Sequence, residues 1–180
     1  SFNSGICKAL RNDTDIKTVQ YVCPQFWAWR YGRVKKFNDL YNKIFSLFPF
    51  ESELLEKHGV NYTYVGHPLA KDLPTEINKE DLKKDFDFSL EKKIIAILPG
   101  SRKSEIVYHD KALVEFIKFY KEENPDTLIV LALNKESDLQ GGLKEISKEI
   151  EVVFANTQNV LAACDLAIVA SGTATLEAAI

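Results

Sequence analysis

At 180 residues, 46% hydrophobic and 27% charged, the chain is long enough to bury a real core, as one domain or as two small ones. A formal net charge of −3 excludes a broadly basic, nucleic-acid-like balance. Cys7, Cys23 and Cys164, an odd number without C-x-x-C spacing, exclude a closed disulfide framework and point to a reducing, cytosolic compartment.

The first third predicts strands at 17–23, 43–48 and 61–65 and a helix over 51–58 that Gly59 caps. It also carries the one local basic surface: the first fifty residues hold eight cations against three carboxylates. Much of that charge lies in Pro24-Gln25-Phe26-Trp27-Ala28-Trp29-Arg30-Tyr31-Gly32-Arg33-Val34-Lys35-Lys36, where both tryptophans of the chain sit beside four cations. Rings interleaved with Arg and Lys suit an anionic lipid surface, because the rings enter the headgroup layer while the cations pair with phosphates. They suit single-stranded nucleic acid equally well, and core tryptophans beside a solvated basic face are the structural alternative.

Residues 67–86, with Pro68, Pro74 and a polar, mixed-charge tract, read as an inter-domain connection between a unit over 1–66 and one over 87–180. From Asp87 onward apolar runs of strand length alternate with segments of helical period, as in βαβ units with a parallel sheet. Strands are predicted at 93–98, 127–133, 151–154 and 166–170. Leu113, Phe116, Ile117 and Tyr120 make one face of a helix ending near Asn124-Pro125. A second helix is expected over 136–148, with Gly141-Gly142 weakening its middle or marking a turn within it, a third over 157–163, and a last one after Ser171-Gly172.

Two loops stand out chemically. Leu98-Pro99-Gly100-Ser101-Arg102 directly follows a buried strand, and ligands of open parallel sheets bind at the carboxyl ends of strands. Gly100 permits close backbone approach, Ser101 offers a hydroxyl, and Arg102 a permanently charged fork for a diphosphate or carboxylate. A plain strand-to-helix turn with a solvated arginine is the bland reading. The second loop, Ser171-Gly172-Thr173-Ala174-Thr175, leaves amide N–H groups uncovered at a helix start, where an anion is favoured, and Glu177 lies a turn further on, within reach of a ribose. Here an ordinary N-cap is the alternative. Together the two loops describe a nucleotide diphosphate held across strand ends, without a Walker lysine or a full G-x-G-x-x-G. His58, His67 and His109 have no partners at metal-ligand spacing, so no metal site is expected. His67, at the end of a strand, is the one histidine to watch.

Four motifs in this order and spacing resemble the lipid-A-disaccharide synthases over nearly the whole chain. They are Pro24-Gln25-Phe26-Trp27-Ala28-Trp29-Arg30, Tyr64-Val65-Gly66-His67-Pro68-Leu69, Leu98-Pro99-Gly100-Ser101-Arg102-Lys103-Ser104-Glu105-Ile106, and Ala170-Ser171-Gly172-Thr173-Ala174-Thr175-Leu176-Glu177-Ala178-Ala179. The resemblance implies an α/β fold of two Rossmann-like domains of the B-type glycosyltransferase fold, the N-terminal one incomplete and the C-terminal one truncated, since the chain lacks an initiator Met and stops within an apparent helix. It implies transfer of a 2,3-diacylglucosamine unit from UDP-2,3-diacylglucosamine to 2,3-diacylglucosamine 1-phosphate, inverting and without metal or cofactor, with release of UDP. On it Gly100, Ser101, Arg102, Ser171, Gly172, Thr173 and Glu177 bind the donor. Trp27, Trp29, Arg30, Arg33, Lys35 and Lys36 face the acceptor and the cytoplasmic face of a bacterial inner membrane, and no nucleic acid is a partner. The family's Asp before a Phe-Asn pair has no counterpart, because Phe2-Asn3 is preceded only by Ser1; the catalytic base is therefore unassigned. A related UDP-N-acetylglucosamine transferase or epimerase, or a noncatalytic UDP-sugar or lipid-surface binding module, are the other readings.

Overall fold

A computed structural model describes residues 2–72 and 78–179. The described residues form two compact parallel α/β units, one up to Asp72 and one from Asn78 onward.

In the first unit α1 (Phe2–Asp13) precedes β1 (Val19–Tyr21). A 3-10 turn (Tyr31–Lys36) runs into α2 (Phe37–Leu40), then follow β2 (Lys43–Ser46), α3 (Pro49–Lys57), β3 (Tyr62–Tyr64) and α4 (Leu69–Asp72). The strands pair in parallel in the order β1-β2-β3, with Gln20 opposite Ile44 and Phe45 opposite Thr63. All three strands and α3 fall inside the segments expected for them or within two residues of them. Gly59, at φ +61°, closes α3 in a Schellman geometry: its N–H donates to Glu56 and that of Val60 to Leu55. The core gathers Cys23, Phe26, Val34, Phe37, Tyr41, Ile44, Leu55 and Val60. Helix α1 and the turn over 31–36 have no counterpart among the expected elements. Burial beside Glu51 pushes the Cys23 thiol up to about 12, so it packs as an inert hydrophobe.

The second unit runs α5 (Lys79–Asp85), β4 (Ile94–Leu98), α6 (Lys103–Glu123), β5 (Leu128–Leu133), a 3-10 turn (Glu136–Asp138), α7 (Gly141–Ile146), β6 (Glu151–Phe154), α8 (Thr157–Ala163), β7 (Leu166–Val169) and α9 (Thr173–Glu177). All pairings are parallel and the spatial order is β6-β5-β4-β7. Every residue of β4 is buried, because the pleat sends alternate side chains to two covered faces. Ile95, Ile97, Ile129, Leu131 and Leu133 pack with Ile106 and Ile117 of α6 and with Leu143 and Ile146 of α7. Ile94, Ala96, Leu98, Val130 and Ala132 pack on the opposite face with Val160 of α8 and Phe88. At the amino end of the sheet Asp165 accepts from the Ile94 amide (2.7 Å) and from Lys79 Nζ (2.6 Å), tying α5 to β4 and β7. The Lys79 ammonium and that amide hold the Asp165 carboxyl below the usual range.

One expected helix divides. The helix expected over 136–148 breaks at Leu139-Gln140, and Gly141-Gly142 opens α7 rather than lying in a helix middle. The carboxylate of Asp110 on α6 caps this start, accepting from the amides of Gly142 (3.0 Å) and Leu143 (2.8 Å). A Cβ on either glycine would lie about 3.0 Å from that carboxylate, so the pair makes room for the cap.

Candidate functional site

The strand order locates the site. From β4 the chain moves to β5 and β6 on one side, then returns to place β7 on the other. The loops after β4 and β7 therefore diverge and leave a crevice at the carboxyl ends of the strands, where open α/β sheets bind ligands. A cleft of about 780 Å³ lies there, lined from all four strand ends. That volume is in the range of small-molecule sites.

The loop after β4 contributes Gly100, Ser101, Arg102 and Glu105, and the loop after β7 contributes Ser171, Gly172 and Glu177. The two loops singled out in the sequence thus meet in one cleft. Thr173, also expected to bind a donor, opens α9 directly after Gly172. Sequence reasoning missed the other half of the lining, Asn134 after β5 and Ala155, Asn156, Thr157, Gln158 and Asn159 after β6. The strand-end rule that selected two loops applies equally to these, and their signal was position rather than motif. Ala155 takes φ +55°, uncommon for a residue with a Cβ, and the Asn156 side chain makes no capping bond to α8. The cleft is therefore asymmetric: one cation, Arg102, on one wall, and neutral amides on the other.

The β4 loop is tied at both ends by α6. Near Pro99, the His109 ring nitrogen Nδ1 lies 2.8 Å from the Pro99 carbonyl, so that nitrogen carries the proton and donates. Further on, Glu105 Oε2 accepts from the amides of Ser101 (3.1 Å) and Arg102 (3.2 Å). Oε1 accepts from Arg102 Nη1 at 2.6 Å. The Arg102 side chain, then its amide, holds the Glu105 carboxyl below the usual range. In the β7 loop the Thr175 hydroxyl donates to the Gly172 carbonyl at 2.5 Å and steadies the start of α9.

In the first unit the tryptophan pair divides. Phe26 is fully buried, and Trp27 is half-buried, edge-on to Phe26 (5.5 Å) and to Phe50 (5.1 Å). Trp29 is 86% exposed, and Arg30, Lys35 and Lys36 are exposed around it, with Arg33 half-buried. His67 accepts from the Leu69 amide and packs on Phe48, and His58 bonds the Tyr31 hydroxyl. Among the described residues no three His, Cys, Asp or Glu side chains cluster to hold a metal, and no helix is long and apolar enough to cross a membrane.

Comparison with known proteins agrees with the motifs. The family model described as lipid-A-disaccharide synthetase matches residues 1–180. The lipid-A-disaccharide synthase of Dechloromonas aromatica (strain RCB) is 38% identical over 99% of this chain and 48% of its own length. Those of Verminephrobacter eiseniae (strain EF01-2) and Coxiella burnetii (strain CbuK_Q154) are 35% and 36% identical, each over 99% of this chain and 47% of their own length. The chain thus spans about half the length of the curated relatives it matches. With its whole length matched by one family model, the chain belongs to the lipid-A-disaccharide synthetase family.

Proposed function

We propose that this chain forms the UDP-sugar-binding part of a glycosyltransferase of lipid A biosynthesis. The reaction joins UDP-2,3-diacylglucosamine to 2,3-diacylglucosamine 1-phosphate and releases UDP. The observation that carries this reading is the convergence of Arg102 with the small residues Ser171 and Gly172 on one cleft at the switch point of the second unit, in a chain of this family. On this reading residues 87–180 serve the donor, 1–66 the acceptor and the membrane surface, and 67–86 connect them.

The chemistry follows from the charges. An acceptor hydroxyl oxygen forms a bond to the anomeric carbon while the bond from that carbon to the diphosphate breaks on the opposite face, with inversion; the hydroxyl proton passes to a base, and the electron pair leaves with UDP. Negative charge grows on the leaving diphosphate, which Arg102, the Ser101 hydroxyl and the amides near Ser171 stabilise without a metal. Glu177, half-buried at the end of α9, accepts from ribose hydroxyls. No residue is assigned as the base. Trp29 with Arg30, Arg33, Lys35 and Lys36 meets the cytoplasmic face of the inner membrane, from which both acylated sugars are drawn.

The deciding experiment is a radiolabelled transfer assay on the intact gene product with the two acylated glucosamine substrates. Disaccharide 1-phosphate and UDP in equal amounts are expected; no disaccharide under conditions where UDP binds would refute the assignment.

A further inference from the structure

The Arg102 counter-ion has so far had no part in the reaction. Glu105 stands at the third position of α6, where a glutamate commonly reaches back to the first free amide of its helix. The first unit holds a direct comparison. Glu51, at the same position of α3, accepts from the Leu47 (3.0 Å) and Phe48 (3.2 Å) amides and is buried; among the described residues no cation pairs with it. It caps the helix start. Glu105 makes the same pair of amide bonds but faces the cleft, and its second oxygen holds Arg102.

The loop is shaped around this carboxylate. Gly100 adopts φ +126°, and a Cβ there would lie 2.8 Å from both Cβ and Oε2 of Glu105. The space that a glycine leaves in this motif is filled by the protein's own anion. Two successive amides directed at one oxygen are the arrangement that otherwise receives a phosphate. Here it is already occupied.

We infer that Glu105 is a positioning residue of the donor site: its carboxylate is the resident anion of the 99–102 loop, holding the Ser101 and Arg102 amides and aiming the Arg102 guanidinium into the cleft. The inference rests on the reading of the cleft as a UDP site. It assigns the diphosphate to the guanidinium, which an incoming ligand shares with or takes from Oε1, and withdraws the Ser101 and Arg102 amides from the set of phosphate donors.

The test uses the intact gene product, with UDP as the probe, and three variants: Glu105→Ala, Glu105→Gln and Glu105→Asp. In the unsubstituted protein the Ser101 and Arg102 amide protons exchange slowly both without and with UDP. Glu105→Ala exposes them and raises the donor KM on the order of tenfold. Glu105→Gln, whose carbonyl oxygen still accepts from both amides, restores their protection and most of the KM but not kcat, because Arg102 has lost its ionic partner. Glu105→Asp, one methylene short, behaves as Ala. Amides that become protected only on adding UDP would overturn the inference, as would a Glu105→Ala protein with unchanged KM. Should the Ala variant not fold, the exchange comparison on the unsubstituted protein decides alone. Failure of that protein to bind UDP by calorimetry would instead sink the donor-site reading itself, and this inference with it.

Discussion

Two glycines line the cleft, and the structure assigns them opposite tolerances. Gly100 at φ +126° occupies backbone that L side chains rarely adopt, and holding alanine there costs about 1–3 kcal/mol. The added Cβ would also stand 2.8 Å from the Glu105 Cβ. That atom is fixed to the helix backbone, so the first turn of α6 must shift and Glu105 must release its two amides. Gly172 has φ 165°, extended backbone open to any residue, and a Cβ there meets nothing within 4 Å. Gly100→Ala is therefore expected to lower the melting temperature of the second unit by roughly 4–24 °C, at about 4–8 °C per kcal/mol for a unit of this size. Gly172→Ala should leave it unchanged within about 0.5 kcal/mol. Differential scanning calorimetry of the two variants makes the comparison, with UDP titration on each. Equal melting temperatures for Gly100→Ala and the unsubstituted protein would refute the argument that this loop is built around Glu105.

Arg102→Ala removes a side chain that is 77% exposed, so the fold should persist within about 0.5 kcal/mol while calorimetry shows UDP binding weakened on the order of tenfold; equal affinity would remove Arg102 from the site. Asp165, whose folded-state carboxyl titrates below its unfolded value, contributes stability that is present above about pH 4 and lost as pH falls through the folded-state value. Because the Lys79 pair is more than a third exposed, the contribution is expected to stay under about 1 kcal/mol. Urea midpoints of Asp165→Asn at pH 7 and pH 3 should accordingly differ less than those of the unsubstituted protein. Trp27→Ala, which empties a ring site against Phe26 and Phe50, should cost about 3 kcal/mol in urea unfolding. Trp29→Ala should cost under about 0.5 kcal/mol and instead reduce co-sedimentation with anionic liposomes. Stability lost at Trp29 rather than Trp27 would reverse that division of roles.

Much of the second unit is legible in the sequence because its strands are short apolar runs buried on both faces. The observed β4 to β7 fall within the expected segments, 151–154 coincides with β6, and 157–163 coincides with α8. The first unit is less readable. Helix α1, with Gly5 in its interior and no acidic residue in its first turn, lacks the usual signs of a helix start, and the 3-10 turn over 31–36 lies within a segment read for its charges and rings. Period and turn chemistry are local properties, and they determine where elements stand along the chain.

What the sequence by itself determined is the class of fold, the family, and two of the four loops that bear the candidate site. Only the tertiary structure decided that β7 pairs with β4 and opens the crevice between them, so that Asn134 and the 155–159 loop line the same cleft as Arg102. Only it separated a packed Trp27 from an exposed Trp29, two residues apart in one motif. And only it filled the space beside Gly100 with Glu105. Each of these depends on a strand order, a burial or a dihedral angle, which packing free energy selects among many local alternatives, and no residue pattern of a single segment carries that choice.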